Sequence, residues 1–565
     1  MRTLDWVVLV SWLIAIVSYG LYRGRGSTTV DNYLLAGKTM PWYAMGLSIM
    51  ATQASAITFI STTGQSYIDG MRFVQFYFGL PVAMVILSAT AVPIFHRANV
   101  YTAYEYLEQR FDSRTRAVVS IIFLIQRGLA AGISLYAPAV VLSVILGFSD
   151  HMTTILMGSL VVLYTTMGGI KAVTWADVQQ MIVILASLIF ALGVAITLMP
   201  SNVSFHDALT VAGAAGRLNA VDLHFDPNNR YNLWSGLIGG MFLALAYFGT
   251  DQSQVQRYLT GKSIGQSRLS LLFNAMAKIP MQFFILFIGA MVFVFFTFEK
   301  APVLFQPVVL EKVKKAPEFA GIESRYSAAF DQRRAAASDL ISASHAGDKT
   351  VEKAAADKYR AAHSQYEVTR RDALKLVEKQ TGESFNDTNY IFLSFVTHYL
   401  PVGVVGLVIA VIFSAAMSSI SGEINSLATV SVIDVYRRYV KKEATDRHYL
   451  WASRLATAFW GVYAVAFASY GPTFGALIEA VNMVGSLFYP GMLGVFVLAF
   501  FFKRVGSSGA FWGVVVCEIV IFLLFKFSTI AYLWYNVIGC IVVIITGLLI
   551  SIFDPRNPEA PEPLR

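Results

Sequence analysis

Apolar runs of about 18 or more residues recur along the whole sequence, and they limit the possible folds more than any other feature. Each run can cross roughly 30 Å of hydrocarbon as a helix. Only 14% of the residues are charged, whereas soluble proteins carry about 25%. The sequence predicts an all-α polytopic membrane protein that crosses the lipid bilayer about 13 times, near residues 4–22, 42–66, 73–95, 117–146, 153–168, 177–199, 233–253, 270–298, 401–436, 449–470, 475–502, 508–526 and 529–553.

The net charge of +8 is concentrated in alternate loops. Basic residues follow the first, third, seventh, ninth and eleventh runs, with Arg25, Arg116, Arg257 and Arg437 among them, and the short loops between are nearly free of Lys and Arg. This positive-inside pattern predicts a multi-pass plasma (inner) membrane protein with an outside N-terminus and a cytoplasmic C-terminus. The basic excess is topological, so nucleic acid is not a predicted partner.

Motifs of enzyme chemistry are missing from the sequence. The two cysteines, Cys517 and Cys540, both fall in apolar runs and form no CxxC pair. No two histidines have the i, i+4 spacing of a helical zinc site, and neither a Walker-type nor a GxGxxG loop occurs. We therefore expect a protein that is not an enzyme.

Residues 299–388 differ from the rest because they are charged and alanine-rich. They predict two helices joined at "HAGDK", with Asp348 capping the second helix and Gly382 ending it. The parity of the predicted spans places this insertion on the extracytoplasmic side of the membrane. It is interpreted as a solvent-exposed helical hairpin, with docking of an unknown partner or covering of the entrance as the alternatives.

Two stretches place polar side chains inside apolar runs. The second run, "MGLSIMATQASAITFISTTG", contains Gln53 and several hydroxyls among small residues, and "SAAMSSISGEINS" follows the ninth run's apolar half. Small-residue packing explains part of the second run, but not an amide at about mid-span depth. An interrupted helix exposes backbone where it lines a cavity, and transporter sites lie at such interruptions near the midplane.

Six motifs in order resemble the sodium–solute symporter family, relatives of the sodium/galactose, proline, sialic acid, monocarboxylate and iodide carriers. They are "DNYLLAGKTMPWYAMGLSIMATQASAITFIS", "YTAYEYLEQRF", "LYAPA", "GGIKAVTWADVQQ", "GTDQSQVQRYL" and "SAAMSSISGEINSLATVSVIDVY". The resemblance implies a LeuT-type core of five plus five helices in inverted repeat. The organisation it implies is a leading helix and cytoplasmic loop (1–40), a first repeat (41–199), an outer loop (200–232), the start of the second repeat (233–298), the hairpin insertion (299–388), the rest of the second repeat (389–502) and two trailing helices with a short cytoplasmic tail (503–565).

The resemblance implies a sodium site between the broken first core helix and the eighth. Its ligands match the carbonyls of Ala51, Ala54 and Ala415 and the hydroxyls of Ser418 and Ser419. Sodium is a hard cation that takes several oxygen ligands, and an unwound helix supplies free carbonyls. Packing hydroxyls bonded one turn back are the alternative for both serines.

Some relatives have a second sodium site, and the chain matches it only in part. Asp177 matches its aspartate, Ser421 its first hydroxyl, and Ser418 is shared, but Gly422 stands where two-sodium relatives carry another hydroxyl. One coupling sodium or two therefore both remain open. Asp177 is alternatively an ion relay or a helix cap.

The family resemblance implies a solute site beside the sodium. Its candidate residues are Gln53, Ser55, Thr58, Gln75, Tyr77, Phe78, Arg127, Asp251, Gln252, Lys278 and Asn482. Arg127 and Lys278 lie in apolar runs, where a charge is costly and indicates function. Arg127 pairs either with an anionic solute or with a buried acid, and Lys278 either approaches the solute or snorkels to the cytoplasmic edge.

The function implied by the resemblance is sodium-coupled import of a small organic or anionic solute by alternating access. A proton-coupled symporter of the same fold, driven through Asp177 or Glu423, is one alternative. A membrane solute sensor is the alternative from another class. The partners are a small-molecule solute and the lipid bilayer, and the only metal is sodium.

Overall fold

Helices form nearly all of the protein. The computed structural model describes residues 2–24, 29–147, 149–382, 384–470 and 475–553. Within these ranges no β-strand forms, and a single isolated β-bridge joins Met40 to Gly261. The predicted all-α class is therefore confirmed. Arg25 and the predicted cytoplasmic tail after residue 553 lie outside the described residues.

The α-helices are numbered in chain order. They are α1 Thr3–Gly24, α2 Val30–Leu35, α3 Trp42–Gln53, α4 Ala56–Asp69, α5 Leu80–Ala89, α6 Ala91–Ala98, α7 Ala103–Arg110, α8 Ser113–Leu146, α9 Asp150–Thr197, α10 Phe205–Ala214, α11 Gly240–Gly249, α12 Gln252–Leu259, α13 Ile264–Phe298, α14 Pro307–Val313, α15 Pro317–Ala346, α16 Lys349–Thr381, α17 Ile391–Tyr399, α18 Val404–Val430, α19 Asp446–Ala468, α20 Leu477–Phe501, α21 Ser507–Phe527 and α22 Leu533–Phe553. Short 3-10 segments cover Ala36–Lys38, Gly70–Tyr77 and Thr388–Tyr390, and π-helical segments cover Ser235–Gly239 and Ser431–Val440.

Eight helical stretches of the described chain are long and apolar enough to cross a membrane. They are 56–98, 113–145, 170–197, 264–298, 404–440, 477–501, 507–527 and 533–553. The predicted count of 13 is not confirmed, in part because several predicted runs fold as shorter pieces.

The predicted runs 153–168 and 177–199 lie on one continuous helix, α9, and not on two separate helices. No proline interrupts the 48 residues of α9, and Gly168 and Gly169 stay helical at a cost of about 1 kcal/mol each.

Two helices are broken at corresponding places in the chain's two halves. The first break separates α3 from α4, where Ala54 leaves the helical conformation and Ser55 is extended (φ −70°, ψ 171°). The second separates α11 from α12, where Asp251 caps α12 by accepting a bond from the Ser253 amide at 2.8 Å. The interrupted helix predicted for residues 42–66 is confirmed, and a pair of such breaks is typical of inverted-repeat transporters.

Helix α18 lies in the centre of the protein. Nearly every residue from Val405 to Val430 is buried, and the helix packs against α1, α3, α8 and α9. The polar side chains of "SAAMSSISGEINS" are therefore enclosed by protein instead of facing lipid, which removes most of the cost of placing them at membrane depth.

The insertion folds as the predicted helical hairpin. Asp348 caps α16 by accepting from the Thr350 amide at 2.8 Å, and Gly382 ends it in the left-handed conformation (φ 73°). The hairpin also packs on the rest of the chain, because His345 lies 2.7 Å from Asp207 and Arg333 donates to the Phe296 carbonyl. Both predicted caps are confirmed.

Candidate functional site

The break between α3 and α4 faces the serines of α18. The Ser419 hydroxyl donates to the Thr52 carbonyl at 3.1 Å, and the Thr58 hydroxyl donates to the Gln53 carbonyl at 2.7 Å. These two carbonyls belong to the last two residues of α3. Beyond the break, backbone hydrogen bonding continues with the Thr58 amide, which donates to the Ser55 carbonyl. The break therefore turns backbone oxygens towards side chains of other elements.

The predicted sodium ligands lie on the two elements that meet at this break, and Ser419 makes a contact between them. Ala51, Ala54 and Ala415 are fully buried, and Ser418 and Ser419 are 2% and 1% exposed. Small side chains let α3 and α18 approach closely, and the carbonyls and hydroxyls they leave at the contact are the neutral oxygen donors that a hard cation takes. The assignment of these residues as sodium ligands stays a prediction.

A second polar cluster begins at the neighbouring residue Ser418 of α18, around the buried carboxylate of Asp177 on α9. One of its oxygens accepts from the Ser418 hydroxyl, and the other accepts from Ser48 at 2.5 Å and from Arg257 at 2.7 Å. Arg257, on α12, is 1% exposed. The interpretation of Arg257 as a loop cation is therefore wrong, because its guanidinium is buried against a carboxylate inside the protein.

Ser421, the other predicted ligand of a second sodium, bonds to its own helix. Its hydroxyl donates to the Ser418 carbonyl of its own helix at 3.0 Å. The cluster thus contains Asp177 and Ser418, as the match to two-sodium relatives implies, while Ser421 makes the bond of a packing hydroxyl.

A cavity of about 120 Å³ opens beside the same break. It lies between α4, α8, α11, α18 and α20. Six of the predicted solute residues line it, namely Gln53, Ser55, Thr58, Tyr77, Arg127 and Asn482. Phe76, Tyr247 and Phe248 add aromatic surface, and Glu423 and Gln126 add polar groups. The lining has the mixed polarity of a small-molecule site, and the volume lies below the roughly 300–1,000 Å³ of sites for drug-sized ligands, so only a very small molecule fits the cavity in this conformation.

The other five predicted solute residues do not line this cavity. Gln75 bonds the Tyr231 carbonyl and the Asp222 amide, and Gln252 bonds the Tyr101 carbonyl and the Ala103 amide. Asp251 forms an ion pair with Arg127, the Lys278 ammonium lies near the Tyr77 ring, and Phe78 packs against the hydrophobic core. Gln75 and Gln252 therefore hold loops in place, which their spacing in the sequence does not reveal.

Arg127 is neutralised by buried acids. It donates to Glu423 at 3.1 Å, to Tyr489 at 2.6 Å and to Asp251, which in turn accepts from Tyr489 at 2.7 Å. Two carboxylates share one guanidinium, so the cluster carries a formal excess of negative charge. Of the two alternatives predicted for Arg127, the structure shows the pairing with a buried acid.

Lys278 is fully buried on α13. Its ammonium lies 5.3 Å from the Tyr77 ring, and its nitrogen has no hydrogen-bond partner in the described part of the chain. The snorkelling alternative is wrong, because the side chain reaches into the protein instead of towards an edge.

Several functional candidates escape the sequence reasoning. Arg257 and Ser48 complete the Asp177 cluster, and Tyr489 and Tyr247 complete the surroundings of Arg127. Arg257 has a signal that could have shown this, because it falls inside "GTDQSQVQRYL", a motif too rich in amides to be an ordinary loop.

Comparisons with known proteins match most of the chain. The sequence model of "Sodium:solute symporter family" matches residues 33–323 and 371–517. The chain is 27% identical to "Sodium/sialic acid symporter NanT" of Aliivibrio fischeri, over 99% of this chain and 95% of that protein. It is also 27% identical to human "Sodium-coupled monocarboxylate transporter 1", over 90% and 71% of the two chains.

A solved structure shares the fold. It is described as "Substrate-bound outward-open state of a Na+-coupled sialic acid symporter reveals a novel Na+-site" and has a TM-score of 0.75, with 24% sequence identity and 98% of each chain covered. The predicted LeuT-type architecture is thereby confirmed.

Proposed function

The chain belongs to the sodium:solute symporter family, and we propose that it imports a small organic anion by alternating access coupled to sodium influx. It is a multi-pass membrane protein, and its family and relatives are transporters. Membership of the family does not specify the solute, so the proposed solute class is argued from the residues that line the cavity.

One observation carries the proposal: a single helix break has the predicted sodium ligands on its α3 side and the cavity on its α4 side. The carboxyl end of α3 turns carbonyls towards the α18 serines, where Ser419 already contacts the Thr52 carbonyl. The amino end of α4 begins at the cavity, with Ser55 and Thr58 in its lining. Carbonyl ends of broken helices suit sodium, and amino ends suit an anionic group.

The coupling ion is assigned to the carbonyls of Ala51, Ala54 and Ala415 and the hydroxyls of Ser418 and Ser419. These ligands come from two separate elements, so a bound sodium stabilises the arrangement in which α3 and α18 are close. The same arrangement shapes the solute cavity. By thermodynamic linkage, solute binding then raises sodium affinity by the factor by which sodium raises solute affinity.

The solute's anionic group is assigned to the amino end of α4 and not to Arg127. Arg127 already has Asp251, Glu423 and Tyr489 as partners. Gln53 and Asn482 offer amide groups at the cavity, and Tyr77 and Phe248 offer apolar surface for the rest of the molecule. The expected solute is therefore small, with one anionic end and an apolar body, as in a monocarboxylate.

The proposed orientation has the N-terminus outside and the C-terminus in the cytoplasm of a plasma (inner) membrane, as the positive-inside pattern supports. The hairpin of α15 and α16 then lies outside. Each sodium ion that enters gains about 2.3 kcal/mol per 100 mV of negative inside potential, and a monoanion that enters with it loses the same amount. With one sodium ion per monoanion the driving force for uptake is therefore the sodium concentration gradient, and the potential contributes only through any additional sodium.

The experiment has two stages. Purified full chain is screened by thermal shift against monocarboxylates, sialic acids, amino acids and sugars, in sodium and in potassium, because a true solute stabilises more in sodium. Proteoliposomes then take up the labelled hit with and without an inward sodium gradient. Equal uptake in the two conditions, or a sugar as the only hit, would contradict the proposal.

A further inference from the structure

We propose that the hairpin of α15 and α16 and the carboxyl-terminal end of α4 enclose a binding site for one halide ion, held by Arg333 and Tyr67. The site is separate from the helix break and from the solute cavity, and it does not depend on which solute is carried. The observation that carries it is a fully buried guanidinium, that of Arg333, which has no carboxylate partner among the described residues.

Arg333 lies in the middle of α15 and is 0% exposed. One face of its guanidinium stacks on the Tyr366 ring of α16, 3.7 Å from the ring centroid, and its Nη2 donates to the Phe296 carbonyl. Its Nε and Nη1 have no acceptor in the part of the chain that the structure describes. The stacked ring does not accept these bonds, because the N–H groups of a guanidinium lie in its plane. Buried charges are normally paired, so this cation calls for an anion from outside the chain.

A second free donor lies close to this arginine. Tyr67, near the end of α4, is 1% exposed, and its hydroxyl interacts electrostatically with Tyr366 and Arg333. The Tyr326 hydroxyl donates to the Ala301 carbonyl at 3.2 Å, which leaves Tyr366 as the donor in the hydrogen bond between these two tyrosines. The Tyr67 hydroxyl has no partner within the described ranges. Its hydrogen is therefore free to bond an anion.

The buried charges around the two donors do not cancel. Two buried arginines, Arg333 and Arg370, face one buried aspartate, Asp387, which pairs with Arg370 and leaves a formal charge of +1. Arg217 and Glu367 lie at the half-buried edge of the cluster, interact with each other and have opposite charges. One monovalent anion therefore neutralises the cluster, whereas sulfate or phosphate would reverse its charge.

The surroundings favour a halide over an organic anion. Besides Tyr366, the Phe330 ring lies 5.8 Å from the Arg333 guanidinium, and the Phe305 ring lies 5.2 Å from that of Arg370. Donors that are enclosed in this way offer no space for a carbon skeleton. Because Tyr67 belongs to α4, whose other end lines the solute cavity, a bound halide would fasten the hairpin to a helix of the transport site.

The first test measures halide binding to the unmodified protein. Purified full chain is titrated to saturation with ³⁶Cl⁻ at a constant sodium concentration, and bound chloride is divided by protein measured by amino-acid analysis. We expect one saturable chloride per chain, which bromide displaces. The absence of saturable binding, or binding that bromide does not displace, would overturn the proposal.

The second test removes the two donors in turn. Arg333→Met keeps an unbranched side chain and removes the charge, so it is expected to abolish saturable ³⁶Cl⁻ binding. Tyr67→Phe removes only the hydroxyl, and we expect the half-saturating chloride concentration to rise at least threefold. Arg334→Met changes the exposed neighbour of Arg333 on the same helix and is the matched control, with the chloride binding of the unmodified chain.

The variants are compared as monodisperse proteins that melt cooperatively. Unchanged chloride binding in Arg333→Met would place the ion elsewhere, for example in the solute cavity, and would overturn the proposal. If Arg333→Met does not fold, Tyr67→Phe decides, because it keeps the ring that packs against Phe293 and Phe296. An unchanged half-saturating chloride concentration in Tyr67→Phe would then overturn the proposal.

Discussion

The Ser419 hydroxyl donates a hydrogen bond to the Thr52 carbonyl, 3.1 Å away, and so joins α18 to the break that ends α3. The Thr52 carbonyl lies between the assigned carbonyls of Ala51 and Ala54 in the sequence, so Ser419 contacts the same backbone segment. A cation placed between the hydroxyl and this carbonyl would need a lone pair from each oxygen and would take the place of the hydroxyl hydrogen. Sodium binding is therefore expected to replace this hydrogen bond, which makes Ser419 the most direct residue to test.

Replacing Ser419 with alanine is expected to weaken sodium binding at least tenfold, which corresponds to about 1.4 kcal/mol. The change removes one oxygen ligand and leaves the helix intact, because alanine is a good helix former. The measurement is the sodium concentration that half-saturates ²²Na⁺ binding to the purified protein. Ser414→Ala is the matched control, since Ser414 on the same helix bonds Trp12 and the Ala410 carbonyl instead. Wild-type affinity in Ser419→Ala would contradict the site.

The Arg127 cluster predicts two unequal losses of stability. Arg127→Met leaves the carboxylates of Asp251 and Glu423 buried without a cation, and removal of one partner from such a group costs about 3–5 kcal/mol. Glu423→Gln keeps the pair of Arg127 and Asp251 and also reduces the excess negative charge, so its cost is expected to be about 1–2 kcal/mol. Thermal melts of both variants in one detergent give the comparison. Equal Tm losses would show that the pairing does not matter.

Local signals in the sequence were enough to predict some of these features. Asp348 and Gly382 bound α16 as predicted, because caps act on amides and carbonyls within one turn of themselves. The neighbourhood of Ser419 and the first helix break followed from a family resemblance, which carries tertiary information that spacing alone lacks.

Long-range pairing is what the sequence could not show. Arg257 is separated from Asp177 by 80 residues, and a count of loop charges treats it like any exposed arginine. The sequence also predicts two separate runs where the structure has the single helix α9. The hydropathy falls between residues 168 and 177, which resembles a loop, although the backbone there stays helical. Gln75 and Gln252 were predicted to bind the solute, but they hold loops in place. The sequence does not distinguish a glutamine that bonds to a loop from one that binds a solute.

Lys278 is expected to tolerate removal of its charge. Its ammonium is fully buried, lies 5.3 Å from the Tyr77 ring and has no hydrogen-bond or ion-pair partner among the described residues, so it bears an uncompensated desolvation cost. Lys278→Met keeps an unbranched chain of similar length, and we expect a Tm equal to or above that of the unmodified protein. Lys278→Ala is the matched control and should lower the Tm, because it leaves a cavity. A lower Tm for Lys278→Met would indicate a polar partner for the ammonium.

The hairpin contains a half-buried histidine at its contact with the membrane part. His363 on α16 packs against the Phe293 ring, with centroids 5.2 Å apart, and its Nε2 lies 3.2 Å from the Arg217 guanidinium. Burial lowers the pKa of His363 to about 3, and the positive charges of Arg217 and Arg333 lower it further in the same direction. The folded protein therefore keeps this imidazole neutral, whereas the unfolded chain protonates it near pH 6.5.

Replacing His363 with glutamine is expected to reduce the loss of stability on acidification. Between about pH 6.5 and pH 3 the unfolded chain binds one more proton at this residue than the folded protein does, so stability falls as the pH falls through 6.5, by at most about 1.4 kcal/mol per pH unit. Glutamine keeps a hydrogen-bond acceptor for Arg217 and does not titrate. Thermal melts at pH 7, 6 and 5 should therefore show a smaller decrease in Tm for His363→Gln than for the unmodified chain, while His206→Gln, which changes an exposed histidine, should match the unmodified chain. Parallel decreases in all three proteins would mean that His363 is protonated in the folded state as readily as in the unfolded one.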